Sequence, residues 1–197
     1  MIVHFRNDQN KRRDTEFFQY GHFGSGHFVL GPDIPNDAFS FGAYACAAPF
    51  DSETTFFASD VGYLYNHRTG RFSRTGGMPF RADNGICGAA TGVTGERMAV
   101  IAGGMVGDNR TAIYDGHEWF EGPELPFVYF WAGRVIHTDT SFLIVGGYEY
   151  YGEEVQDSIF EFDPIGLRWI RREERLETPR GQHMAVAVDR ERFCTPP

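Results

Sequence analysis

Two short apolar segments that each end in a double glycine lie 43 residues apart in this chain. They are Ile101-Ala102-Gly103-Gly104 and Ile144-Val145-Gly146-Gly147. A fixed period of this length indicates a structural repeat, because a unit too small to bury its own apolar face has to stack on copies of itself. We therefore expect the chain to fold as a series of similar units.

Both copies continue with the same residue types in the same order. After Gly103 and Gly104 come Tyr114, Trp119 and Gly122-Pro123-Glu124-Leu125-Pro126, and after Gly146 and Gly147 come Phe162, Trp169 and Leu176-Glu177-Thr178-Pro179-Arg180. This order of apolar strand, double glycine, aromatic residue, tryptophan and proline-ended turn resembles the kelch repeat. The resemblance implies that each unit is one four-stranded antiparallel blade of a β-propeller, with the tryptophan packed between blades.

Two degenerate copies precede these. Residues 55–60 lie 44 residues before the Gly103-Gly104 copy, with Ser59 and Asp60 in place of the glycines and Phe72 in place of the tryptophan. Further upstream, residues 31–35 repeat the turn sequence at 122–126. The domain therefore divides into a part-blade at 1–36, three complete blades at 37–81, 82–127 and 128–180, and a part-blade at 181–197 that opens with a strand from Gly181.

Propellers close with about four to eight blades, and the resemblance implies five to seven for a kelch protein. We therefore expect an all-β domain over residues 1–197 that forms part of a kelch-type propeller. Alternatively, the two part-blades complement each other and close a four-bladed ring. An open arc would leave blade edges uncovered and would allow self-association. A WD40 propeller is disfavoured, because no recurring Gly-His and Trp-Asp pair brackets the units.

Charge and cysteine content limit the partners and the compartment. A net charge of −9 argues against nucleic acid and anionic membranes as partners, since both attract a surplus of Lys and Arg. The N-terminal sequence lacks an apolar core of signal-peptide length, which favours a cytoplasmic location, or a secreted one if a leader precedes this sequence. Cys46, Cys87 and Cys194 show no framework spacing and are expected as buried thiols in a reducing compartment.

Most histidines are predicted to lie in turns rather than in a reactive site. His67 and His117 match the turn between third and fourth strands, which in the last complete blade is Asp163-Pro164-Ile165-Gly166, with Gly166 supplying the permissive backbone conformation. His183 lies near the start of a predicted inner strand and could face the channel. No two of the 7 histidines have a strong metal-ligand spacing, so no metal or other cofactor is predicted.

The loop after Gly146-Gly147 is the strongest functional feature, because it is long, acidic and rich in tyrosine. The resemblance implies that this loop projects from one face of the propeller and contacts a partner. Tyrosine offers a large contact area, and glutamate steers a basic ligand. Alternatively, its tyrosines cover neighbouring strands. The candidate partner-binding residues are Tyr148, Glu149, Tyr150, Tyr151, Glu153 and Glu154, joined by Asp108, Asn109 and Arg110 of the shorter neighbouring loop.

These features predict a non-catalytic protein–protein interaction module, a scaffold or adaptor that works without a cofactor. Many kelch proteins carry a BTB domain that couples the bound protein to a ubiquitin ligase, and this sequence contains no such domain. The alternative function is a galactose-oxidase-like or epimerase-like enzyme, or a carbohydrate-binding propeller. No copper-site motif of the galactose-oxidase type is present in the sequence.

Overall fold

All regular structure in the computed structural model is β-strand. The structure describes residues 2–6, 17–21, 28–33, 35, 46–58, 61–80, 85–104, 109–126, 134–149, 154–181, 183, 185 and 187. Within these residues the chain forms fifteen strands and no helix, and so includes none that could cross a membrane. The prediction of an all-β fold is therefore confirmed.

The first sheet along the chain is three-stranded and antiparallel. It contains β1 (Ile2–Arg6), β2 (Phe17–Gly21) and β3 (Phe28–Asp33) in that order. The prediction of a turn at 31–35 is wrong for its first half, because Asp33 pairs with Phe17 inside the sheet. Pro32 is tolerated in β3 because this strand has a neighbour on one side only in this sheet, and because the pairing register shifts between Leu30 and Asp33, so Pro32 occupies no paired position.

Three antiparallel four-stranded sheets follow along the chain, each ordered as its strands occur in sequence. Sheet I contains β4 (Cys46–Pro49), β5 (Thr54–Ala58), β6 (Gly62–Asn66) and β7 (Arg71–Arg74). Sheet II contains β8 (Ile86–Thr91), β9 (Arg97–Ala102), β10 (Thr111–Tyr114) and β11 (Trp119–Glu121). Sheet III contains β12 (Arg134–His137), β13 (Phe142–Val145), β14 (Ser158–Asp163) and β15 (Arg168–Arg175).

The three sheets share one internal register. In each of them an aromatic residue of the third strand pairs with an aromatic residue of the fourth. The pairs are Tyr65 with Phe72, Tyr114 with Trp119, and Phe162 with Trp169. Their ring centroids lie 4.8, 5.3 and 5.2 Å apart. The double glycines of sheets II and III also share a positive φ that favours glycine, with 70° and 148° at Gly103 and Gly104 and 60° and 120° at Gly146 and Gly147.

Adjacent sheets meet along their first strands, because β8 contacts β4 on one side and β12 on the other. Sheet II is therefore covered on both faces, and successive side chains of β9 enter two different cores. Ala99 and Ile101 pack into a core shared with sheet I. Met98, Val100 and Ala102 pack into a core shared with sheet III. This double coverage explains why β9 is a continuous apolar run rather than an alternating one.

Each of the two described tryptophans, Trp119 and Trp169, reaches from its own sheet to the preceding one. The indole Nε1 of Trp119 in sheet II donates to Thr75 Oγ1, just beyond β7 of sheet I, at 3.1 Å. The indole Nε1 of Trp169 in sheet III donates to Thr111 Oγ1 of sheet II, also at 3.1 Å. A tryptophan gains from such a position because its partly buried ring packs against the core while its N–H keeps an acceptor.

The expectation of free cysteine thiols is wrong for two of the three cysteines. Cys46 of β4 and Cys87 of β8 form a disulfide, with their Cα atoms 5.4 Å apart. They lie 41 residues apart in sequence, which is close to one repeat, so the contact between first strands of adjacent sheets brings them together. Cys194 lies outside the described residues.

Two local predictions in the last units differ from the structure. Gly166 does not supply the left-handed residue of the β14–β15 turn, because that conformation is at Leu167, with φ of 44°. Gly166 is needed for space instead, since a Cβ there would lie 2.6 Å from Asp163 Oδ2. In the predicted part-blade at 181–197, the described residues Gly181, His183, Ala185 and Ala187 belong to no strand, and the other residues lie outside the described part.

Candidate functional site

The two loops predicted to contact a partner leave the same edge of neighbouring sheets. We call this the Gly-Gly edge and define it as the edge at which β5, β9 and β13 end. The chain leaves sheet II there after Gly104 and returns at Asn109, and it leaves sheet III after Gly147. Asp108 in the first loop and Tyr150, Tyr151 and Glu153 in the second lie outside the described residues.

The base of the longer loop is an extension of the hairpin formed by β13 and β14. Tyr148 and Val155 form an isolated antiparallel bridge. The Glu149 N–H donates to the Glu154 carbonyl at 3.0 Å, and the Gln156 N–H donates to the Gly147 carbonyl at 2.8 Å. These bonds fix the backbone on both sides of the loop. The side chains of Glu149 and Glu154 therefore project from a backbone of defined position.

The segment that follows β15 holds this hairpin extension from the side. The Gly147 N–H donates to the Arg180 carbonyl at 3.0 Å, and the Arg180 N–H donates to the Gln156 carbonyl at 3.2 Å. The aromatic ring of Tyr148 lies where a Cβ on Gly181 would be, so only glycine fits at 181. Tyr148 is half-buried and covers the neighbouring segment, which is the alternative role considered for the tyrosines of this loop.

The acidic side chains differ in what they contact. Glu149 is half-buried, and its Oε2 accepts a hydrogen bond from Gln156 Nε2 at 3.3 Å. Glu154 is exposed, and the neighbouring Val155 side chain is 36% exposed. Of the described loop residues, Glu154 therefore offers its charge to solvent most directly, beside a small apolar contact.

The shorter loop of sheet II is fixed in a similar way where it returns to the sheet. The Leu125 N–H donates to the Asn109 carbonyl at 2.7 Å, and Asn109 Nδ2 donates to Glu124 Oε2 at 3.1 Å. Arg110 is exposed, and its guanidinium lies 4.7 Å from the ring centroid of Phe80, which follows sheet I. Such a cation–π contact holds the Arg110 stem against the surface while the charge stays near solvent.

The corresponding tie in sheet III uses opposite charges. The Leu176 N–H donates to the Asp157 carbonyl at 2.9 Å, as Leu125 does to Asn109. Arg175 Nη1 then lies 3.5 Å from Asp157 Oδ2, where Glu124 meets Asn109 in sheet II. At equivalent positions, the Asn109–Glu124 pair of sheet II has a net negative charge, whereas the Asp157–Arg175 pair of sheet III is a neutral ion pair.

A basic cluster next to Gly146 was not among the predicted partner-binding residues. Arg134 Nε donates to the His183 carbonyl oxygen, and a Cβ on Gly146 would lie 3.0 Å from His183 Cε1. Burial lowers the pKa of His183, and the positive charges of Arg134 and Arg180 lower it further. Both ring nitrogens of His183 are buried and make no hydrogen bond. A neutral imidazole is therefore favoured at His183, the histidine that the sequence analysis expected near an inner strand.

The other conspicuous histidines lie in turns on the opposite edge of the sheets. His67 Nε2 lies 2.9 Å from Thr55 Oγ1 in the turn after β6, and His117 is exposed in the bend between β10 and β11. The predicted turn positions of both are confirmed. Among the described residues, no group of three or more His, Cys, Asp or Glu side chains could hold a metal ion.

Comparison with known proteins gives a fold relationship and nothing finer. No family model matches the chain, and no curated protein matches it. Among solved structures, it is similar to one titled "Structure of YjhT", with a TM-score of 0.62 and 12% sequence identity. The match covers 80% of this chain and 52% of the other, so the chain spans about half of that protein's length. At this identity the likeness shows the all-β architecture alone.

Proposed function

We propose that this chain is a non-catalytic protein–protein interaction module, built as part of a kelch-type β-propeller, whose Gly-Gly edge binds a protein. The observation that carries the proposal is the support of the loop after Gly147. Its two sides are joined by the Glu149–Glu154 and Gln156–Gly147 backbone hydrogen bonds. The backbone of Arg180 adds one hydrogen bond to each side, at Gly147 and at Gln156. A loop held in this way loses less conformational entropy when it binds than a free one does.

The acidic side chains of the loop after Gly147 favour one class of partner. Glu154 is exposed, Glu149 is half-buried beside it, and the whole chain carries a net charge of −9. A lysine- or arginine-rich segment of another protein complements this charge, and steering by opposite charge raises its association rate. Tyr148 contributes to the loop's support through its contact with Gly181, so the binding role is assigned to the acidic side chains and to Val155.

The proposal is tested with immobilised peptides of equal length that are lysine-rich, neutral or glutamate-rich. The full chain should bind the lysine-rich set, and added salt should weaken that binding. Glu154→Lys should reduce the affinity roughly fivefold, since it replaces one exposed attraction by a repulsion. The matched control is Glu118→Lys, which changes an exposed glutamate between β10 and β11 on the opposite edge.

Two outcomes contradict this function. Equal losses for Glu154→Lys and Glu118→Lys would show that net charge, and not the Gly-Gly edge, attracts the peptides. If the chain does not prefer lysine-rich over neutral peptides at low salt, the proposal of a basic partner is contradicted.

A further inference from the structure

The Cys46–Cys87 disulfide is a covalent link between sheets I and II, which also meet through side-chain packing and through polar contacts such as the Trp119–Thr75 hydrogen bond. Cys46 is the first residue of β4, and Cys87 is the second residue of β8, so the bond lies at the Gly-Gly edge between sheets I and II. Cys87 is only 2% exposed and belongs to the core that these two sheets share. The Cα separation of 5.4 Å lies within the range that a disulfide requires.

In the folded chain the two sulfurs meet because sheets I and II pack against each other. Cys46 pairs with Ala58 across sheet I, and Cys87 pairs with Ile101 across sheet II, so neither hairpin contains both cysteines. The 41-residue separation spans all the remaining strands of sheet I. Packing of β4 against β8 holds the two cysteines within bonding distance.

We propose that Cys46 and Cys87 form a site of oxidative modification, and that a thiol–disulfide oxidoreductase in its oxidised state forms the bond while the protein folds. One cysteine thiolate attacks the enzyme's disulfide and forms a mixed disulfide, and the other cysteine then attacks that bond. The pair loses two protons and two electrons, and the enzyme's disulfide is reduced to two thiols. The protein consequently matures in a compartment that maintains such an oxidant, and not in a reducing one.

The bond has a clear structural role at this position. A cross-link that closes a loop of this length limits the unfolded ensemble, and so it raises the stability of the folded chain. It also ties together the two sheets on either side of the Arg110–Phe80 contact. This inference does not depend on which protein the loops bind.

The first test maps the bond in the full chain. The protein is reduced, refolded with or without an oxidised dithiol oxidoreductase, and alkylated under denaturing conditions before peptide mapping. After enzyme treatment we expect one cross-linked peptide that contains Cys46 and Cys87, with Cys194 carrying the alkyl group. A parallel arm with oxidised glutathione as the oxidant distinguishes a need for the enzyme from simple chemical oxidation. Complete alkylation of Cys46 and Cys87 in the enzyme arm, or faster bonding with glutathione, overturns the proposal.

The second test separates the covalent bond from the packing of the sulfur atoms. Cys46→Ser and Cys87→Ser should each lower the melting temperature of the oxidised protein by roughly 10 °C, whereas the control Cys194→Ser should not. In the presence of reductant, the melting temperature of the wild-type chain should fall to that of the two variants. If Cys46→Ser lowers the melting temperature equally with and without reductant, the bond is not what stabilises the sheets and the proposal fails.

Discussion

Trp119 donates its indole N–H to Thr75 Oγ1 at 3.1 Å and so joins the outer strand of sheet II to the end of sheet I. The equivalent tie of sheet III runs from Trp169 to Thr111. The two acceptor threonines do not occupy equivalent positions in their sheets. Thr75 donates its N–H to the Gly62 carbonyl, whereas Thr111 accepts in the same way from Gly122. Threonine and glycine have thus exchanged places between the two sheets, and each pair presents one hydroxyl to an indole.

The first prediction follows from this exchange. Gly62→Thr should destabilise the chain by about 1–3 kcal/mol, because a Cβ there would collide with Thr75 Oγ1 and lie 2.9 Å from Trp119 Cζ2. Thr75→Gly should cost about 1–2 kcal/mol, because the indole N–H loses its acceptor. The double variant should cost less than the sum, since it reproduces the Thr111–Gly122 arrangement. Urea unfolding of all four proteins measures the coupling, and strict additivity would show that the two pairs are not interchangeable.

The second prediction concerns the supported loop. Gly146→Ala and Gly70→Ala both place a side chain at a left-handed backbone position, with φ of 60° and 65°. Gly70 has nothing within 4 Å of its Cβ position, so its variant should cost only about 1–2 kcal/mol. The Cβ of Gly146→Ala would also meet the Arg180 carbonyl and His183, and that should add about 1–3 kcal/mol. Equal unfolding free energies in urea would contradict the described contact of the 176–183 segment with the loop base.

The third prediction addresses the core between sheets II and III. Phe142 is 1% exposed, stacks on Phe162 with centroids 5.7 Å apart, and packs its ring against Gly88 of β8. Phe142→Ala should therefore cost about 3–5 kcal/mol. Phe120→Ala, at a residue that is 36% exposed, serves as the control and should cost less than about 1 kcal/mol. A similar small loss for both variants, measured in urea, would argue against a buried interface at β13.

The fourth prediction concerns pH. Burial lowers the pKa of His137, and the positive charge of Arg97 lowers it further. Burial also lowers the pKa of His67 and of His183. In the unfolded chain these histidines take up protons near pH 6.5, while the folded chain resists protonation until lower pH. The unfolded state then binds more protons, so the free energy of unfolding should be constant above that pH and should fall as the solution is acidified toward pH 5 or so.

A variant assigns part of this loss to one residue. His137→Gln should have a smaller loss of stability between about pH 7 and 5 than the wild-type chain, because the buried histidine with the lowered pKa is absent. Thermal melts at closely spaced pH values give the measurement. A steeper dependence of stability on pH in His137→Gln than in the wild-type chain would contradict the lowered pKa of His137.

Much of the fold could be predicted because it depends on local patterns that recur. The apolar runs at 98–102 and 142–145 form strands, and the double glycines have the positive φ expected of turns. The site was harder to predict. Tyr148 is conspicuous in the sequence, yet whether its ring faces a partner or Gly181 depends on where a segment more than 30 residues later is placed. The acidic residues of the loop were identified, but the support from Arg180 was not, because backbone hydrogen bonds between distant segments have no sequence signature.

The sequence by itself determined the period of the repeat, the all-β class and the turn glycines, because each depends on residue type and spacing within one unit. Only the tertiary structure decided which side chains of different units meet. Cys46 and Cys87 are 41 residues apart, and their spacing in the sequence does not indicate a disulfide. Packing of β4 on β8 brings them together as bonding partners. The exchange of Thr75 and Gly62 for Gly122 and Thr111 is also a tertiary feature, since the indole at each interface donates to a threonine hydroxyl of the preceding sheet. At either glycine a Cβ would collide with side chains packed there.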